Sequence, residues 1–205
     1  YATLDIAHQR TGQHIELAVI ATPAVTVPAL IEQCGLHGVK GVVVLSSGFS
    51  EAGAQGKRLE QSMLEIARHY DMHIIGPNCL GVIRPSRGLN ITFSRNQARQ
   101  GNLALVSQSG AMCTAILDWA EPRKVGFSNV ITIGEAADVD FGDVLDYLAL
   151  DPHTDSILLY IEGLHHVRGF MSGLRAASRM KPVVVLKAGR YEAGARAATS
   201  HTGAL

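Results

Sequence analysis

Charge is scarce in this chain of 205 residues. Asp, Glu, Lys and Arg make up 18%, and 18 acidic residues balance 18 basic ones, so the formal net charge is zero. A chain without a basic footprint argues against nucleic acid or an anionic membrane surface as its main partner. Aromatic residues are scarcer still, at 5%, whereas a flavin-binding electron carrier needs aromatic rings to sandwich its cofactor. The one tryptophan, Trp119, falls inside a predicted helix over Gly110–Glu121, where core packing is expected of it. No apolar run approaches the ~20 residues of a transmembrane helix. The three cysteines, Cys34, Cys79 and Cys113, are odd in number and lack metal-ligand spacing. They speak against a disulfide scaffold or a zinc module and for a reducing, cytoplasmic location. Neither a G-x-x-x-x-G-K-[ST] loop, a G-x-G-x-x-G fingerprint nor a G-x-S-x-G elbow occurs, so the common signatures of phosphate-loop, dinucleotide and serine-hydrolase chemistry are missing.

What is present is apolar and segmented. Hydrophobic residues reach 47% and glycine 21 positions, enough for one large or two modest domains with a substantial core. Short Val/Ile/Leu runs recur at Leu17–Ala21, Val42–Leu45, Leu103–Val106, Val130–Ile133, Ile157–Ile161 and Val183–Leu186. They fit strands of a parallel sheet buried on both faces. Helical faces lie between them: Leu59, Met63, Ile66 and Tyr70; Phe141, Val144, Leu145 and Leu148; Val167, Phe170, Met171 and Leu174. Asp140 is the predicted N-cap of the second of these helices, and Pro152 lies just past its end. Strands alternating with helices predict a doubly wound α/β architecture. Periodicity lapses over Pro85–Asn102, which places a domain boundary between residues 98 and 99. The first unit, 1–98, is short for a complete nucleotide-type domain. Tyr1 is not a start methionine, and the final loop reads as entering something further, so a piece of a longer protein is expected.

In parallel α/β sheets, ligands collect beyond the carboxyl ends of the strands. Small polar residues follow predicted strands at Leu45-Ser46-Ser47-Gly48, Gly76-Pro77-Asn78-Cys79-Leu80-Gly81, Val106-Ser107-Gln108-Ser109-Gly110 and Leu186-Lys187-Ala188-Gly189. Each alone is an ordinary tight turn; together on one side of a sheet they predict a ligand-binding face. The helix start after Ser109 offers unpaired N–H groups to an anion. Glu162 ends the run Ile157–Ile161, and His201 sits in a loop of Gly, Ala, Ser and Thr; spacing alone leaves both readable as solvated loop residues. Cys79 reads as a small packing residue near a site, since no neighbour lowers its thiol pKa. Adjacent His165 and His166 point in different directions on a helix and read as its solvated start.

Five of these segments stand in the order of one family: Gly76-Pro77-Asn78-Cys79-Leu80-Gly81, Ser107-Gln108-Ser109-Gly110, Ala137-Asp138-Val139-Asp140, Tyr160-Ile161-Glu162-Gly163 and Ser200-His201-Thr202-Gly203. Over essentially its whole length the chain resembles the α part of nucleoside-diphosphate-forming acyl-CoA synthetases, which include succinyl-CoA synthetase and ADP-forming acetyl-CoA synthetase. The resemblance implies part of a Rossmann-type CoA-binding domain (1–98) followed by a flavodoxin-like domain (99–205). It implies that His201 becomes phosphorylated and that Glu162 binds one ring nitrogen, leaving the other as nucleophile. Ser107, Gln108, Ser109 and Gly110 would hold the phosphate. Leu45, Ser46 and Ser47 would line the CoA site, with Asn78 and Cys79 near the thioester. The implied substrate is coenzyme A. ADP or ATP and Mg2+ are implied through an ATP-grasp domain or β subunit in an oligomeric assembly.

The chain also departs from the family pattern. Its opening strand and Gly-rich CoA loop are not in these residues. Thr114 stands where succinyl-CoA synthetase has a substrate-contacting Tyr, which points to acetate or another small acid. The segments 88–94 and 116–120 also resemble the synthetase-like, CoA-binding region of bacterial protein-lysine acetyltransferases, an alternative in which this region regulates.

Overall fold

The structure is a computed structural model that describes residues 4–95 and 97–189. The chain runs α1 (Leu4–Thr11), β1 (Leu17–Ile20), α2 (Val27–Leu36), β2 (Gly41–Val44), α3 (Ala54–His69) and β3 (His73–Ile75). It continues through β4 (Gly81–Arg84), β5 (Leu89–Thr92), β6 (Gln100–Ser107), α4 (Gly110–Ala120) and β7 (Phe127–Thr132). It closes with α5 (Phe141–Leu150), β8 (Ser156–Ile161), α6 (Val167–Met180) and β9 (Val183–Lys187). The six predicted apolar runs correspond to β1, β2, β6, β7, β8 and β9.

Two sheets form. The first is parallel, in the order β1-β2-β3, and the second has the order β5-β4-β7-β6-β8-β9. In the second, β7, β6, β8 and β9 are parallel, while β4 pairs antiparallel with β7 and β5 antiparallel with β4. The chain leaves β6 for β7 on one side and then crosses to β8 on the other, so the winding reverses at β6. Period-2 side chains make both faces apolar: Ala104 and Val106 join the core under α5 and α6, Leu103 and Leu105 the core under α4. Asp140 caps α5 as predicted, Oδ1 accepting from Gly142 N (2.6 Å) and Asp143 N (3.3 Å). Asp143 Oδ2 returns the favour by accepting from Asp140 N at 2.9 Å, completing a capping box.

The two sheets divide between Ile75 and Gly81, because the β4–β5 hairpin hydrogen-bonds to β7 rather than to β3. Several expectations need correction. Edge strands β1 and β9 are not buried on both faces: Leu17, Val19, Val184, Val185 and Leu186 are exposed. On α6 the inward residues are Phe170, Gly173 and Ala177, whereas Val167 and Met171 face out. Trp119 is 55% exposed. The inner stripe of α4 is Cys113, Leu117 and Ala120, and a residue two positions after Leu117 faces away from it. Arg123 lies over the Trp119 ring, 4.6 Å from its centroid, and donates to Trp119 O at 3.0 Å.

Candidate functional site

The carboxyl ends of the two sheets are clasped together. Segment 134–139, after β7, runs beside 74–78: Glu135 N donates to Pro77 O (3.0 Å), Ala137 N to Gly76 O (3.2 Å) and Val139 N to Ile74 O (3.2 Å). Asp138 Oδ2 accepts from Ile74 N at 2.8 Å, and Asn78 N donates to Ser46 O at 2.9 Å. The approach is so close that a Cβ on Gly134 (φ +53) would lie 2.1 Å from Pro77 O. A cavity of about 280 Å³ opens at this clasp. Leu45 and Ser47 wall it from the first sheet, Asn78, Cys79 and Leu80 from the linking segment, and Gln108, Ser109, Gly110 and Ala111 from the start of α4. Phe93, Gly134 and Glu135 complete the lining.

The loop after β6 is built by its own side chains. Ser107 is fully buried; its hydroxyl donates to Ser109 O (2.8 Å) and accepts from Ser109 N (3.1 Å). Ser109 Oγ accepts from Met112 N at 3.2 Å and so caps α4. That turn presents the first N–H groups of α4 toward the cavity, the arrangement that favours an anion. Gln108 Oε1 accepts from Glu162 N (2.7 Å) and Gly163 N (3.0 Å), which leaves its amide NH2 as a donor. This bridge spans β6 and β8 at the switch point, where doubly wound sheets bind ligands. Lys187 Nζ donates to Glu162 O at 2.8 Å and to Ala188 O at 2.7 Å. Glu162 is 8% exposed, and its buried Oε2 has no hydrogen-bond partner among the described residues.

Other expected site residues fall as follows. Leu45, Ser47, Asn78, Cys79, Gln108, Ser109 and Gly110 line one cavity. Ser46 and Ser107 stand behind its wall, their hydroxyls committed to backbone: Ser46 Oγ donates to Thr22 O at 2.5 Å. The Thr114 hydroxyl donates to Gly110 O (3.0 Å) one turn into α4, away from the lining. Burial pushes the Cys79 thiol up to about 12, so it stays protonated. His166 precedes α6 as its N-cap, with no side-chain capping bond. His201 lies outside the described residues. Among those described, no group of three or more His, Cys, Asp or Glu could hold a metal ion, and no helix is long and apolar enough to cross a membrane.

Sequence reasoning missed Glu135. It is 7% exposed, and Oε1 accepts from Asn78 Nδ2 at 3.3 Å. Burial pushes its carboxyl up to about 7; Glu51, Glu60 and Glu162 push the same way, against the Asn78 hydrogen bond. The signal existed: like Glu162, it is a carboxylate placed just beyond an apolar strand.

A family model described as a succinyl-CoA ligase like flavodoxin domain matches residues 100–205, and one described as a CoA binding domain matches residues 1–85. The chain belongs to the succinyl-CoA-ligase-like flavodoxin-domain family. The chain is 47% identical to acetate–CoA ligase [ADP-forming] I of Archaeoglobus fulgidus over 193 residues, 94% of this chain and 28% of that protein. It is 46% identical to the α subunit of acetate–CoA ligase [ADP-forming] I of Pyrococcus furiosus, over 93% of this chain and 41% of that one. Among solved structures, the dinucleotide-forming acetyl-coenzyme A synthetase 1 of Ca. Korarchaeum cryptofilum, in complex with phosphate and ADP, superposes with a TM-score of 0.91 at 37% identity. That match covers 100% of this chain and 43% of the other. The resemblance to α parts of ADP-forming acyl-CoA synthetases therefore holds, and the chain spans less than half the length of these relatives.

Proposed function

We propose that this chain is the CoA-binding and phosphohistidine-bearing part of an NDP-forming acyl-CoA synthetase acting on acetyl-CoA or another short-chain acyl-CoA. One observation carries the reading: Gln108 ties the anion-binding turn at the head of α4 to Glu162, whose Oε2 is buried with no partner among the described residues. A buried carboxylate oxygen in that position calls for a donor. The His201 ring N–H is the natural one, which would fix the tautomer and leave the other nitrogen nucleophilic. Phosphate would rest on the amide N–H groups of Gly110 and Ala111 and the amide of Gln108, and the acyl-CoA would enter along Leu45 and Ser47, with Asn78 and Cys79 beside the thioester.

The chemistry then divides into transfers through covalent intermediates. Phosphate displaces CoA from the acyl-CoA to give an acyl phosphate. His201 takes the phosphoryl group and releases the acid, and ADP takes it from His201. The nucleotide and Mg2+, which neutralises phosphate charge in such transfers, belong to an ATP-grasp domain or β subunit. The three free cysteines suit a cytoplasmic location. The relatives named above are ligases or synthetases and lend no support to the acetyltransferase alternative.

The test uses the full-length protein with its ATP-grasp partner, γ-labelled ATP and Mg2+. An acid-labile, base-stable label is expected on the wild type and absent from His201→Ala. Label that survives His201→Ala would sink the reading.

A further inference from the structure

The cavity holds a carboxyl group for which phosphohistidine chemistry has no use. Glu135 lines the same cavity as Leu45 and Ser47, assigned above to the acyl-CoA, and Ser109, Gly110 and Ala111 at the proposed phosphate turn. Its backbone is pinned by Glu135 N to Pro77 O at 3.0 Å. Because Oε1 accepts from Asn78 Nδ2, Oε2 is the oxygen that can carry a proton. The groups that bear on it electrostatically are all carboxylates: Glu51 and Glu60 from the first sheet's side, and Glu162 from the end of β8. An ionised carboxylate there would repel an incoming phosphate. A neutral one donates a hydrogen bond to it.

We propose that Glu135 is the catalytic acid–base of the acyl-transfer half-reaction, delivering a proton to the CoA sulfur and recovering one from phosphate. The inference rests on the function proposed above and names a residue for its first step. A phosphate oxygen forms a bond to the acyl carbon while the C–S bond breaks. The departing sulfur takes the proton from Glu135 Oε2 and leaves as a thiol. The resulting carboxylate accepts the proton of hydrogen phosphate. Acyl-CoA and HPO4 2− thus become acyl phosphate dianion and CoA thiol, with Glu135 restored and no outside co-reactant. In reverse, ionised Glu135 removes the thiol proton. Burial tunes the carboxyl to about 7, where an acid–base group works in both directions.

Full-length protein is assayed for two half-reactions: thioester formation from acetyl phosphate and CoA, read by absorbance, and labelling of His201 by γ-labelled ATP. Glu135→Gln keeps the shape and loses the proton. It is expected to slow thioester formation by ~10²- to 10⁴-fold at unchanged KM for CoA, while His201 labelling stays at the wild-type rate. In the wild type, thioester formation should rise with pH through about 7. That limb should vanish in Glu135→Gln and persist, at a lower rate, in Glu135→Asp. Equal rates in wild type and Glu135→Gln, or equal loss of both half-reactions, would overturn the acid–base role and leave the phosphohistidine reading standing. A wild type that neither labels nor forms thioester would overturn both.

Discussion

Buried carboxylates occur at both edges of the second sheet, and the two edges treat them oppositely. At the amino edge, Asp151 accepts from Thr154 Oγ1 and Asn129 Nδ2, both at 2.8 Å, and from Arg84 Nη2 at 3.1 Å. Burial pushes its carboxyl up, but these hydrogen bonds, one from His153 N, and the Arg84 charge prevail and hold it below the usual carboxylate range. At the carboxyl edge, Glu135 has an Asn78 amide at 3.3 Å and three carboxylates pushing it up, and Glu162 keeps an oxygen unpartnered among the described residues. Residue class and burial are alike; the supply of donors differs. Asp151 is satisfied by the fold itself. The other two retain capacity for a ligand, a proton or a side chain beyond the described region, at some expense in stability.

The comparison breaks first if Asp151 matters to turnover. Replacing it with Ala takes the carboxylate from Arg84, which keeps the Tyr147 hydroxyl, and from Asn129 and Thr154, which keep each other and Ser128, in a site where the Asp151 side chain is 1% exposed. A loss of about 3–5 kcal/mol is expected from urea melts. His201 labelling below the lowered melting temperature should match the wild type. A labelling defect without a stability defect would mean the amino edge is not merely structural.

Much of this division was legible beforehand, and the exceptions have physical causes. Strands β6, β7 and β8 announced themselves as unbroken apolar runs because helices cover both their faces. The β4–β5 hairpin did not: its four-residue strands flank Pro85 and Gly88, and it joins the sheet as an antiparallel edge, where polar Asn90 and Thr92 are tolerated. Trp119 lies in the expected helix but off its buried stripe, Cys113, Leu117 and Ala120, an angle that membership of a helix does not carry. Of the site, Asn78, Gln108, Ser109 and Glu162 were readable from their position beyond strand ends. Glu135 satisfies the same criterion but sits within Gly134-Glu135-Ala136-Ala137, which reads as a turn, and nothing in one sequence reveals that Asn78 comes to meet it.

Gln108 sharpens the contrast, since one side chain serves both stability and function. Gln108→Leu keeps the bulk and removes the acceptor of Glu162 N and Gly163 N. Two N–H groups at a buried strand end then lose their partner, costing about 2 kcal/mol. That is less than the Asp151 loss, yet the expected fall in His201 labelling is far larger than the stability change implies, because Glu162 loses its anchor and the anion turn its amide donor. Melts and labelling on the same preparation decide it. Equal, proportionate losses would demote Gln108 to a structural bridge.

The smallest expected effect has the opposite sign. Glu135 titrates at about 7 in the folded protein instead of 4.5. Between those values the native state carries a proton that the unfolded chain has released, so stability falls as pH rises across the window and stays low above it. Water in the open cavity screens the group, which reduces the expected penalty to about 1 kcal/mol. Glu135→Gln, always neutral, should match the wild type below the ordinary glutamate range and melt higher than it above neutrality. Asp151 behaves in the reverse manner: its depressed carboxyl contributes stability above the ordinary range, lost as pH falls through its folded value. A wild type whose stability is flat from 4.5 to 7 would remove the asymmetry between the edges. A Gln variant that gains stability above neutrality while losing acyl transfer would show that the fold keeps Glu135 at a cost it could have avoided.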